Sequence, residues 1–289
     1  MNLVEEALHS VTRLPPFPLV VQQALRLIDD PRASAQEVVD VIQYDQAITA
    51  NVLKLCNSAY FGLRRTVHSL REALVMIGFS QLLEVILGQE SGRFFKGACR
   101  GYDLEEGELW RHSVACALLS RIIPKRLNRP ATPAGFTAAL LHDIGKVILS
   151  QYVKDYFGEI RQLMEGRSCS FVEAEKEVLG IDHAELGGKI AEQWQFPDSI
   201  VLAIRRHHAP LSAGDSDEIV HLVFLCDLVS LITGIGGGAD GLSYHAHGEV
   251  VRRYGLEEKD IERFIVELND QFQEVEDLLD LKESKGIRG

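Results

Sequence analysis

Nothing in this 289-residue chain is built for a bilayer or an oxidising compartment. It has no run of about 18 or more apolar residues, so no membrane-spanning helix is expected. The start, Met1-Asn2-Leu3-Val4-Glu5-Glu6, lacks the basic and apolar regions of a signal peptide. Cysteine is scarce and unpaired in spacing: Cys56, Cys99, Cys116, Cys169 and Cys226 are an odd set. That argues for reduced thiols in a cytoplasmic protein and against a disulfide framework. Positive charge is also short, with 30 Lys and Arg against 42 Asp and Glu and a formal net charge of -12. Such a balance opposes nucleic-acid and anionic-membrane binding. It opposes a polyanionic substrate too, unless metal cations reverse the local field.

Strand-type alternation is equally hard to find, and nearly every segment carries helical periodicity instead. Capping boxes are expected at Ser34 with Glu37, Ser69 with Glu72, Ser170 with Glu173, and Asp182 with Glu185. Gly78, Gly166 and Gly180 each follow a helical pattern and suit a helix C-terminus. The fold class is therefore all-α. A composition 46% hydrophobic and 25% charged is that of a globular protein with a real core. Three stretches are distinguished: an apolar N-terminal helical half over 1–100, a half over 101–240 in which histidines and acids enter apolar segments, and a loop with a closing helix over 241–289. Gly234 to Gly241 reads as a flexible surface loop, and Glu257 to about Leu281 as a charged amphipathic helix.

The most informative stretch runs from Ala138 to Leu149, where His142-Asp143 interrupts an otherwise almost wholly apolar sequence. Burying an ionised carboxylate costs several kcal/mol unless a partner compensates it. The pair either caps a helix and bonds a carbonyl, or it ligates a metal ion. Other residues pose the same question. Glu108 and His112 share one helical face with Cys116, Leu119 and Ile123. His183 follows an expected cap at Asp182, and His207-His208 end a helix just before Pro210. Neighbours on a helix diverge by about 100°, so His207 and His208 line a concave site from its rim or lie exposed at a favourable helix end. Asp227 sits in Leu222 to Ile232, apolar almost all round, where an unpaired acid would be strongly destabilising.

Together these give His112, His142, Asp143, His183, His207, His208 and Asp227, with Glu108 in reserve. Imidazole and carboxylate donors suit divalent transition metals such as Fe, Mn, Zn or Ni. The set exceeds what one ion needs, and Asp143 is placed to bridge two. Lys146 either meets a phosphate oxygen beside Asp143 or is an ordinary exposed lysine. His245, His247, His221, His9 and His68 are read as lying outside the site, and Cys226 as core.

The order His, His-Asp, His, His-His, Asp resembles the HD superfamily of metal-dependent phosphohydrolases, and within it the HD-GYP branch. That resemblance implies one ion on His112, His142, Asp143 and Asp227, and a second on Asp143, His183, His207 and His208. It further implies a third ion near Glu108 in some members and a phosphate-contacting role for Lys146, which with Asp143 makes the catalytic pair. The N-terminal half is similar to the narrower HDOD family. The matching segments are Leu14-Pro15-Pro16-Phe17-Pro18, Asp45 to Ala59 and Ala73 to Phe79, with Gly180 through Trp194 to Pro210 in the other half. HDOD proteins are bacterial, all-helical output modules of signalling pathways. The resemblance thus implies an HD-superfamily bundle with an N-terminal HDOD subdomain, served by a signalling protein partner or a phosphate-containing small molecule. Where HD-GYP enzymes carry a Gly-Tyr-Pro signature, this chain has Ala209-Pro210-Leu211-Ser212, so cyclic di-GMP hydrolysis is not expected. No sensory domain is recognisable in the chain, so a signal is expected to arrive from outside it.

Overall fold

The structure is a computed structural model and describes residues 3–15, 17–26, 34–43, 45–58, 60–167, 169–213, 218–239 and 248–276. The first six helices are α1 (Leu3–Val11), α2 (Leu19–Arg26), α3 (Ala35–Ile42), α4 (Gln46–Cys56), α5 (Leu70–Ile77) and α6 (Phe79–Phe95). The long central ones are α7 (Glu108–Arg126), α8 (Pro133–Leu141) and α9 (Ile144–Arg167). They are followed by α10 (Phe171–Leu179), α11 (His183–Gln193), α12 (Asp198–Arg206) and α13 (Glu218–Thr233), then α14 (Gly248–Arg253) and α15 (Glu258–Glu276). Among the described residues there is no strand, only an isolated bridge between Cys99 and Leu104. None of these helices is long and apolar enough to cross a membrane.

Local capping chemistry sets most of the boundaries. Ser34 with Glu37 and Ser170 with Glu173 form reciprocal boxes. Ser69 accepts the N–H of Glu72, but Glu72 reaches one residue further back, to the N–H of His68. Asp182 caps α11 by accepting from Glu185, whose own carboxylate pairs instead with Lys176. Gly78 and Gly180 end their helices as expected. Gly166 does not: α9 runs on through Arg167, because a glycine stops a helix only where the chain turns there.

Helix α7 packs on α8 and α13, α11 on α9 and α12, and α12 also on α8 and α13. These six helices enclose the candidate site. Helices α2 to α6 form a second layer that reaches them through α6, while α1 crosses back to pack on α9 and α11. The two halves share aromatic packing. Phe17, from the Pro-Phe-Pro motif, stacks on Phe94 of α6 with ring centroids 5.8 Å apart. It also lies 5.2 Å from Trp194 and 5.4 Å from Phe196. One buried apolar cluster therefore runs through both halves.

The glycine loop after α13 is not a free surface segment. Ala239 donates its N–H to the carbonyl of Tyr102, and Gly236, at φ +61°, lies directly against His112. A Cβ at Gly236 would fall 2.6 Å from that of His112 and 2.8 Å from the Glu108 carbonyl oxygen, so only glycine allows the approach. Asp240 and Gly241, His245 and His247, and the expected end of the last helix beyond Glu276 lie outside the described residues.

Candidate metal centre

The apolar run around His142-Asp143 is two helices, not one. Helix α8 ends at Leu141, His142 is its C-cap, and α9 begins at Ile144. The break leaves α8 carbonyls without intrahelical partners. His142 satisfies one of them, donating from Nδ1 to the Ala139 carbonyl at 2.8 Å. The same device recurs at the end of α12, where His207 Nδ1 donates to Ile204 at 2.7 Å. On the opposite side, Gly145 brings α9 against α11. A Cβ there would lie 1.9 Å from the His183 carbonyl oxygen. That contact sets Asp143 facing His183.

Each anchored ring turns its Nε2 inward. His183 Nδ1 donates to Glu175 at 2.8 Å, and the same Glu175 oxygen accepts the His183 backbone N–H at 2.9 Å. His112 Nδ1 donates to the Ile235 carbonyl at 3.0 Å. With Nδ1 committed to an acceptor, the Nε2 of a neutral ring carries a lone pair. Those of His112 and His142 face each other at 3.3 Å, and the Nε2 of His183 lies 2.9 Å from that of His208. Opposed lone pairs repel unless a proton or a metal ion lies between them. Fixing one imidazole nitrogen so that the other is presented is the arrangement of metal-binding histidines.

The carboxylates complete two groups. Asp143 Oδ2 lies 3.6 Å from His112 Nε2 and 3.5 Å from His142 Nε2. Its Oδ1 lies 3.5 Å from His183 Nε2 and 3.7 Å from His207 Nε2. Asp227 Oδ1 stands 3.1 Å from His112 Nε2 and 3.8 Å from His142 Nε2. The donors thus sort into His112, Cys116, His142 and Asp227 on one side, and Asp143, His183, His207 and His208 on the other. Asp143 Oδ1 and His207 Nε2 are buried without a hydrogen-bond partner. Buried polar atoms left unsatisfied are costly, and here both point into the same donor group. Asp143, Asp227 and Glu175 bring three carboxylates into the interior beside one lysine, so the remaining positive charge comes from protonated imidazoles or from a metal ion. These residues fit divalent metal.

The electrostatics follow from that crowding. Burial works to raise the Asp143 carboxyl, but His142, Lys146, His183 and His112 hold it well below the usual range. Asp227 is depressed in the same way, against its own burial, by the His112 hydrogen bond and His142. His207 is drawn down to about 3 by burial and by His142. His183 goes the other way: burial works downward, but Glu175 raises it to about 9. For the metal-free protein these directions fix a pH profile. Unfolded His207 takes up a proton near 6.5 and the folded residue only near 3, so stability falls as pH drops through that window. The depressed Asp143 and Asp227 add to the loss at its acid end. His183 contributes fully below 6.5, and its contribution is lost as pH rises through about 9. Chelator-treated protein should therefore melt highest near neutrality and lower on both sides. A melting temperature flat from about pH 5 to 9 would refute this assignment of charges.

Seven of the expected residues, His112, His142, Asp143, His183, His207, His208 and Asp227, meet in this centre. Lys146 joins them as a buried partner of Asp143, with Nζ 2.7 Å from Oδ2, and is not an exposed lysine. Glu108 is not brought in: its carboxylate accepts the N–H of Glu105 at the start of α7. His221 bonds Tyr254, while His9 and His68 lie on the surface away from the centre. Three contributors were not singled out from the sequence as site residues: Glu175, the Tyr102 hydroxyl that bonds it, and Cys116. Glu175 was findable, since it lies four residues from both Phe171 and Leu179 on the apolar face of α10.

The HDOD domain family model matches residues 14–210. A crystal structure of an HDOD domain protein with unknown function from Geobacter sulfurreducens is 26% identical, covers 97% of this chain and 99% of that one, and superposes with a TM-score of 0.70. A "Putative phosphohydrolase" from Shewanella amazonensis SB2B, 19% identical, covers 94% of this chain and 97% of its own with a TM-score of 0.68, a likeness of fold. An uncharacterised protein of Treponema pallidum (strain Nichols) is 24% identical over 196 residues. The match takes in 68% of this chain but only 37% of that relative's length.

Proposed function

The chain belongs to the HDOD domain family, and on that premise we propose that it is a signalling-output protein built around a two-ion metal centre. One ion would be held by His112, His142, Asp227 and Asp143, the other by Asp143, His183, His207 and His208. The nitrogen- and oxygen-rich donor set suits Fe or Mn, with Zn or Ni also accommodated. The carboxylate of Glu108, which the resemblance places near a third ion, accepts the N–H of Glu105 and lies outside both donor groups. The observation that carries the reading is the set of inward Nε2 atoms, each ring fixed through Nδ1, gathered round a carboxylate with an unpartnered oxygen.

Burial favours a binding or structural use over turnover. Of the seven donors named, only His208 is less than fully buried, so a substrate has little access to Asp143. A partner protein or a phosphate-containing small molecule would then be met at the His208 side or at the N-terminal half. A second reading, metal-dependent phosphohydrolase, is favoured by Lys146 beside the shared carboxylate. When bound, divalent ions supply Lewis-acid polarisation of a phosphoryl oxygen and of water. Asp143 would position them, and Lys146 would neutralise charge developing on a phosphate. The readings separate in a screen of phosphomonoesters, phosphodiesters and nucleotides with anaerobically prepared, metal-loaded protein. The signalling reading predicts no metal-dependent turnover. Turnover abolished by Asp143→Ala in a folded variant would establish the enzyme instead.

A further inference from the structure

We propose that Cys116 is a fifth protein ligand of the first half-site, so that its sulfur joins His112, His142, Asp143 and Asp227 around one ion. The proposal rests on the two-ion reading above and adds to it a donor of different chemistry. Cys116 lies one helical turn beyond His112 on α7 and shares its inward face. Its Sγ is 3.6 Å from His112 Nε2, the atom on which the other donors converge. Metal–ligand distances of about 2.0–2.3 Å put neighbouring donors of one ion about 3–4 Å apart. The measured edges are 3.3 Å for His112 to His142, 3.1 Å for His112 to Asp227, 3.8 Å for His142 to Asp227 and 3.6 Å for His112 to Cys116. All four donor atoms lie within 4.8 Å of one another, and all four residues are buried.

The ordinary use of such a thiol is to donate weakly to the His112 lone pair. Ligation differs in one respect: the S–H proton leaves to solvent as the sulfur–metal bond forms. The two half-sites then become unlike. The first has five buried protein donors including a soft thiolate, is closed to solvent, and prefers Zn, Co or Fe(II) over Mn. The second has harder donors, with His208 partly accessible, and is the one where an ion exchanges or a ligand enters. The thiolate also makes retention of the first ion sensitive to oxidants.

Cobalt(II) reads this directly, because thiolate ligation gives an intense near-ultraviolet charge-transfer absorption that nitrogen and oxygen donors do not. Full-length protein is stripped, loaded anaerobically with cobalt(II) and compared with Cys116→Ser and Cys226→Ser. The expected result is the charge-transfer band in wild type and Cys226→Ser, and its loss in Cys116→Ser with the visible cobalt bands retained. Removing an outer-shell partner of a ligand already costs about 10–100-fold in metal affinity, so loss of the sulfur should weaken the first half-site at least about tenfold. Cobalt bound to wild type without the band overturns the proposal but leaves the two-ion centre standing, and needs no variant to fold. A band that survives in folded Cys116→Ser also overturns it. Failure of wild type to bind cobalt, iron or manganese at all removes both readings.

Discussion

Replacing Asp143 with alanine should abolish metal retention at both half-sites and lower stability by about 3–5 kcal/mol. Among the described carboxylates, Asp143 alone has ion-pair contacts with histidines of both groups. Its Oδ2 is directed to His112 and His142, and its Oδ1 to His183 and His207. The substitution also strips buried Lys146 of the carboxylate 2.7 Å from its Nζ, which is the costly way to break an internal ion pair. His208→Ala, by contrast, should spare the first half-site, since His208 belongs to the second group alone. Elemental analysis and chemical denaturation of the two variants measure this. An Asp143→Ala protein that keeps wild-type metal content would show that the shared carboxylate is only structural.

Glu175→Ala should be nearly as damaging, although Glu175 touches none of the other inward donors. Its carboxylate accepts from the Tyr102 hydroxyl, the His183 ring and the His183 backbone, all buried. Stranding such donors costs about 1–3 kcal/mol each. Losing the acceptor also frees the His183 ring to rotate and change tautomer, which should weaken the second half-site about 10–100-fold. Glu175→Gln keeps the shape and one acceptor oxygen, so it should restore most of the stability and only part of the affinity. Metal titration of both variants against thermal stability separates the two effects. Wild-type affinity in a folded Glu175→Ala protein would count against a positioning role.

Much of the centre was legible from one physical rule: ionisable residues inside apolar runs need partners. Asp227 in its apolar helix and His142-Asp143 in theirs announced themselves that way, and the structure brings both into one cluster. The all-helical fold was likewise legible from periodicity and caps such as Ser34 and Ser170. What the sequence hid depends on tertiary approach. Gly236 reads as loop, and only the fold shows it pressed against His112 with Ile235 holding the ring. Cys116 reads as core because a thiol and a small apolar side chain look alike on a helical stripe. Glu108 was the converse case. Its spacing from His112 was right for a shared face, but at the first position of α7 its carboxylate turns back to the N–H of Glu105.

If these buried donors exist to hold metal, the number of ions per chain is the direct measurement. Protein purified anaerobically from iron- and manganese-supplemented cells should carry about two transition-metal ions per chain by elemental analysis. A folded His142→Ala control should carry fewer. Wild-type protein with no stoichiometric metal under those conditions would contradict the account, leaving the histidine cluster as a buried polar network without an ion.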